Sequence, residues 1–222
     1  MKNFFIKRKD TILLSILSVI IMWVVWIAAY YSVRNDFVIP SFWDSVKSFF
    51  ICLGEGEFWL AFCVTFLRTL GSFVISFIFG VSFSVLSALS KIFKGLVRPV
   101  IVVLRTLPAL AVMLIILVWT NAAIAPMIVT VMMLFPVIYS QAEAAIDGID
   151  GDIIQMAVVY KIPVKERFTK IYLPQITPDL FVQVGADISL GLKVMISAEV
   201  LSNTFGSLGG LMQDARFYTD MP

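Results

Sequence analysis

Five long apolar stretches alternate with polar connections along this chain, and their spacing predicts a bundle of membrane-crossing helices. Each is near or above the roughly 20 apolar residues that a helix needs to cross a bilayer. The first, at about 11–31, follows a basic head from Met1 to Asp10. Its core is long and aromatic, and Ala28-Ala29 leads into Tyr30-Tyr31 rather than a cleavage site, so it reads as an uncleaved helix and not a signal peptide. A polar connection from Ser32 to Glu57 holds Pro40 and an amphipathic piece, Ser41 to Leu53, suited to the membrane surface.

The second apolar run, Phe58 to Ser90, is longer than one crossing requires; with Arg68 at the headgroups its buried part is expected at about 70–89. Within it Ser72, Ser76, Gly80, Ser84 and Ala88 recur every four residues, a spacing of small side chains that lets a second helix approach closely. A basic turn (Lys91, Lys94, Arg98) precedes a third helix at about 100–119, and the turn Asn121 to Pro126 leads into a fourth at about 126–145. The fifth, at about 175–201, has Pro174 and Pro178 at its start, where a missing N–H removes no helix bond.

Between the fourth and fifth helices, about 147–174, lies a charged loop with two short amphipathic runs. Ile154, Ala157 and Val158 share one helical face, and Val164, Phe168, Ile171 and Tyr172 share another. Apolar stripes outside a bilayer need a protein partner or the underside of the membrane domain, which makes the loop a docking device. Composition agrees with a membrane protein: 60% hydrophobic and 14% charged residues, against roughly 25% charged in soluble domains, with a mean hydropathy of +0.96.

Cys52 and Cys63 lack metal-site spacing and are either free apolar thiols or an outer-side disulfide. The chain has no histidine, which excludes histidine-dependent hydrolase and zinc-protease chemistry. Lysine and arginine bias sets the expected orientation. A cytoplasmic N-terminus puts Lys2, Lys7, Arg8, Lys9, Lys91, Lys94, Arg98, Lys161, Lys165, Arg167 and Lys170 inside, and only Arg34, Lys47, Arg68 and Arg216 outside. The docking loop is then cytosolic.

The loop resembles the coupling loop of ABC-importer permeases, whose pattern is Glu-Ala-Ala, three residues, Gly, nine residues, Ile-x-Leu-Pro. Anchoring on Ile171, Leu173 and Pro174 places Gln155 on the glutamate, Met156 and Ala157 on the alanines, and Lys161 on the glycine. The literal Glu143-Ala144-Ala145 is out of register, because it sets Val159, Lys161 and Ile162 at Ile-x-Leu-Pro. Leu104-Arg105-Thr106-Leu107-Pro108, Trp119, Ser197-Ala198-Glu199 and Leu208-Gly209 resemble, in order, segments of the nitrate/taurine/sulfonate branch.

The resemblance implies an all-α type I importer permease fold, a single transmembrane domain over residues 1–222. Its sixth helix would be missing at the C-terminus, as in a fragment. It also implies multi-pass insertion in a bacterial-type inner membrane, a second permease subunit as a homodimer partner, ABC ATPase subunits, and an extracytoplasmic substrate-binding protein. The expected coupling residues are Gln155, Met156, Ala157, Tyr160, Lys161, Ile171, Leu173 and Pro174. No phosphate-binding GxxxxGK[ST] motif occurs, so this transport subunit carries no cofactor itself, and ATP and Mg belong to the partner ATPase.

At Lys161 positive φ is costly, so the sequence argues against a left-handed backbone there, and Ile162 before Pro163 ends the first short helix. Arg105, Asp187, Lys193 and Glu199 are charges within helices, candidates for the translocation path or for interhelical pairs. The last three are six residues apart, so successive members rotate by about 120° and face different ways. An ATP-independent secondary transporter should show matching broken halves, and a membrane-embedded enzyme should cluster polar residues at one depth. Neither pattern is present.

Overall fold

The computed structural model describes residues 2–33 and 39–219, with side chains described for 13–33 and 39–216. The basic head (Lys2, Lys7, Arg8, Lys9), Arg34 and the tail from Tyr218 to Pro222 lie outside these described side chains. Every described element is helical. By length and composition four helical segments can cross a membrane, or five if one bent pair counts as a single span.

The chain forms two compact units divided near Phe58. In the first, α1 (Lys2–Val33) carries an exposed apolar surface from Leu13 onward. It is followed by α2 (Phe42–Gly54), where the sequence places an amphipathic piece. Ser41 caps α2 by accepting from the Asp44 amide at 3.2 Å, and Trp26 donates its indole N–H to the Pro40 carbonyl. Trp23 and Trp26 meet Phe42 edge-on, which sets the return of α2.

The second unit is built on α3 (Gly56–Leu89), α6 (Ala125–Asp147) and α9 (Leu173–Ser202). The apolar core joins Phe73, Val81 and Val85 of α3 to Leu134, Ile138 and Ala142 of α6, and to Tyr172, Ile176 and Leu180. Packing of α3 within the chain begins at Ala61 and Thr65, ahead of Arg68 in the sequence. Ser72 and Ser76 donate to the Met127 and Val131 carbonyls of α6 at 3.4 Å. At Gly80 an added Cβ would sit 3.0 Å from Ile138 Cγ2 and 3.1 Å from the Tyr139 amide nitrogen.

Ala88 is exposed, and Ser87 takes the buried place by accepting from the Tyr139 hydroxyl at 3.0 Å. The reason is geometric: a strict four-residue repeat drifts about 40° per step around an α-helix. The seam thus runs Ser72, Ser76, Gly80, Ser84 and then Ser87.

The third apolar stretch is two helices. α4 (Lys91–Thr106) and α5 (Ala109–Trp119) meet at 101° across Leu107-Pro108. Pro108 lacks the N–H that would continue the helix and disfavours helical backbone at Leu107, which is extended at φ −70° and ψ 129°. The loop holds α7 (Gly151–Val159) and α8 (Val164–Glu166), which runs through a π-helical turn (Arg167–Tyr172) into α9. Pro174 is in the first turn of α9, while Pro178 lies inside it. A final helix, α10 (Leu208–Thr219), follows the last helix predicted from the apolar stretches.

Candidate functional site: the coupling loop and the buried polar pairs

α7 begins under the side chain of Asp150, which accepts from the Asp152 amide at 2.9 Å, and ends in a tight left-handed turn. Lys161 has φ +50°. Its N–H bonds to the Val158 carbonyl, and the Ile162 N–H reaches back to Ala157, both at 3.0 Å. This paired pattern is the glycine-type helix ending. The backbone at Lys161 therefore adopts the conformation that lysine disfavours, because two main-chain bonds and the following Ile162-Pro163 break fix the turn. The cost is about 1–2 kcal/mol relative to right-handed backbone.

The loop separates into an inner and an outer side. Ala157, Ile171 and Tyr172 are buried within the chain, with Ile154 and Phe168 packed against the core. Gln155, Met156, Val158, Val159, Tyr160, Lys161, Val164, Leu173 and Pro174 are exposed. Of the two predicted stripes, Ile154, Ala157, Phe168, Ile171 and Tyr172 thus turn inward, and Val158 and Val164 are exposed. The outward apolar surface comes from Met156, Val158, Val159 and Tyr160 at the end of α7, with Val164 beyond the turn. Glu143-Ala144-Ala145 lies in α6, where Glu143 pairs with Lys94 of α4 at 2.8 Å.

The charges within helices face three ways. Asp187 is buried and accepts from Gln141 Nε2 of α6 at 2.8 Å. Lys193 is exposed beside a cleft of about 200 Å³ lined also by Ala109, Leu110 and Met113. Arg105 is exposed, donates to Ser140 Oγ at 3.2 Å, and lines a cavity of about 670 Å³ with Gln141, Asp179 and Gln183.

Glu199 is fully buried and is the centre of a four-part contact. Thr65 Oγ1 donates to its Oε2 at 2.8 Å, Arg68 Nη1 pairs with Oε1 at 3.3 Å, and the Gly209 amide reaches Oε2 at 3.4 Å. The carboxylate thus meets an amide in the first turn of α10, where a helix carries partial positive charge. The Leu208 amide donates in turn to Thr65 Oγ1 at 3.0 Å. At Gly209 a Cβ would fall 2.3 Å from Glu199 Cβ and 2.5 Å from the Val200 nitrogen, so only glycine fits. Asn203, left-handed at φ +50°, turns the chain between α9 and α10. Thr204 donates there to the Ala122 carbonyl of the α5–α6 turn at 2.7 Å.

Glu199 and Gly209, which belong to two separate motifs in the sequence, are one contact in the structure. Nothing in the apolar pattern marks Arg68 and Thr65 as members of a site. Arg68 lies 12 residues inside α3, and the rule that intramembrane charge needs a partner would have flagged it had it not been assigned to the headgroup level.

The putative aliphatic sulfonates transport permease protein SsuC of Bacillus subtilis (strain 168) is 23% identical to the chain over 184 residues. The alignment covers 82% of the chain and 66% of the relative, so the chain spans just under two thirds of that curated relative's length. Residues 80–222, which include the loop, the buried carboxylates and the Glu199–Gly209 contact, match the family described as binding-protein-dependent transport system inner membrane component. The chain is a multi-pass membrane protein and belongs to that family.

Proposed function

We propose that the chain is the membrane-spanning permease subunit of an ATP-driven ABC importer, and that residues 147–174 are its coupling loop for a separate ATPase. The observation that carries this is the exposed apolar end of α7, Met156, Val158, Val159 and Tyr160, held by the left-handed turn at Lys161. That turn falls at the glycine of the coupling-loop pattern, which supports the register that sets Gln155 on the glutamate. Gln155 keeps hydrogen-bonding capacity without charge.

In this reading two permease subunits form the pathway, an extracytoplasmic binding protein delivers a small solute, and the N-terminus and the loop are cytoplasmic. Motion of the ATPase pulls on α7. Because Ala157, Ile171 and Tyr172 are packed in the chain, that pull passes to α6 and α9 as rigid-body displacement. The relative's sulfonate name describes that protein; the proposal here extends to a small solute.

Co-purification tests the reading. The permease, tagged and purified from its own cells, should retain an ABC ATPase, and a Val159→Asp, Tyr160→Asp double variant should lose most of it while inserting normally. These side chains are exposed, so the change leaves the bundle intact. Equal ATPase recovery from variant and parent membranes would overturn the docking assignment.

A further inference from the structure

α4 carries three distinct faces. At about 100° per residue, Phe93, Val97, Ile101 and Leu104 fall on one arc and turn inward; Val97 and Ile101 are buried against Tyr139 of α6. Lys91, Lys94, Arg98 and Arg105 fall on the adjoining arc. Ile92, Leu96, Val100 and Val103 fall on the remaining one and are 79%, 68%, 53% and 54% exposed. On the basic arc Lys94 is tied to Glu143 and Arg105 to Ser140, both on α6. Lys91 and Arg98, one step further round, have no ion-pair or hydrogen-bond partner for their side chains among the described residues.

A bare apolar arc roughly opposite a row of cations suits a helix lying in a bilayer interface. The 101° turn at Leu107-Pro108 sets α4 nearly across α5, as a helix in the membrane plane would lie against one that enters it. We propose that α4 is an interfacial helix that binds the headgroup of an anionic phospholipid through Lys91 and Arg98, with Ile92, Leu96, Val100 and Val103 in the acyl region. Charge selects the occupant. A zwitterionic headgroup offers these cations little net attraction, whereas each cation near an anionic surface adds severalfold to affinity.

The test uses the intact permease in detergent, titrated with phosphatidylglycerol and phosphatidylcholine of matched chains and read by native mass spectrometry. Phosphatidylglycerol should bind about tenfold tighter. The Lys91→Gln, Arg98→Gln double variant should remove that preference, and Lys165→Gln on the loop should leave it. Equal binding of the two lipids, a preference that survives the double variant, or an equal loss with Lys165→Gln would each overturn the proposal. So would inorganic phosphate at millimolar concentration displacing the lipid, which would mark a phosphate site. A fluorophore at Leu96→Cys, in a Cys52→Ser, Cys63→Ser background, should be quenched by brominated lipid. Absence of quenching, or cross-linking of that cysteine to a second copy, would show instead that protein covers this face.

Discussion

Lys161 and Glu199 show how single residues carry the two ends of the molecule. At Lys161 a Cβ-bearing residue is held at φ +50° by main-chain bonds that a glycine would make without steric cost. Lys161→Gly should therefore stabilise the α7 ending by up to about 1 kcal/mol, slowing hydrogen exchange at Lys161 and Ile162 by about fivefold. Lys161→Val should speed it. Unchanged exchange in both variants would show that the turn carries no strain. At Glu199 the carboxylate accepts from Thr65, Arg68 and Gly209, so Glu199→Ala leaves three donors without their acceptor. A loss of about 3 kcal/mol is expected, read as a lower thermal midpoint in detergent. Arg68→Ala, whose side chain is 22% exposed, should cost less. An Arg68→Ala effect equal to or larger than that of Glu199→Ala would place the centre of the cluster on the arginine.

Among the elements, the α3–α6 seam shows where sequence periodicity suffices and where it fails. Small residues every four positions were legible as a packing stripe, and four of the five, Ser72 to Ser84, do lie buried. The fifth fails because integer spacing and 3.6 residues per turn part company, so Ala88 rotates out and Ser87 rotates in. Gly80→Leu should then destabilise by about 1–3 kcal/mol, since its Cβ already meets Ile138 and the Tyr139 backbone. Ala88→Leu should be tolerated. Equal thermal midpoints for the two would remove the seam. The break between α4 and α5 was marked by Leu107-Pro108, but an apolar run that continues on both sides hides a change of direction. The inward side of the proposed coupling loop was hidden for a related reason: an apolar stripe records that something covers it, and not whether the cover is a partner or the chain's own bundle.

In the whole molecule, α9 runs through the second unit from the proposed coupling loop to the buried Glu199 contact. Its 30 residues, at 1.5 Å each, span about 45 Å, from the loop of residues 147–174 at one end to the Asn203 turn at the other. In the proposed mechanism, pull on α7 would pass to α9 through the buried Ile171 and Tyr172, while at the far end Glu199 joins α9 to α3 and α10 at once. The two ends should lie on opposite sides of the membrane. In the proposed orientation, which follows the lysine and arginine bias, the loop is inside, and Tyr160 and Phe205, 76% and 93% exposed, offer a reporter at each end. In a Cys52→Ser, Cys63→Ser background, Phe205→Cys in intact spheroplasts should react with a membrane-impermeant maleimide, and Tyr160→Cys only after the membrane is opened. Labelling of both from one side would mean that the run Val164–Ser202 does not cross. Labelling of Tyr160→Cys alone in intact spheroplasts would invert the orientation and put the proposed coupling loop out of reach of a cytosolic ATPase, because a loop on the outer side of the membrane cannot dock a protein on the inner side.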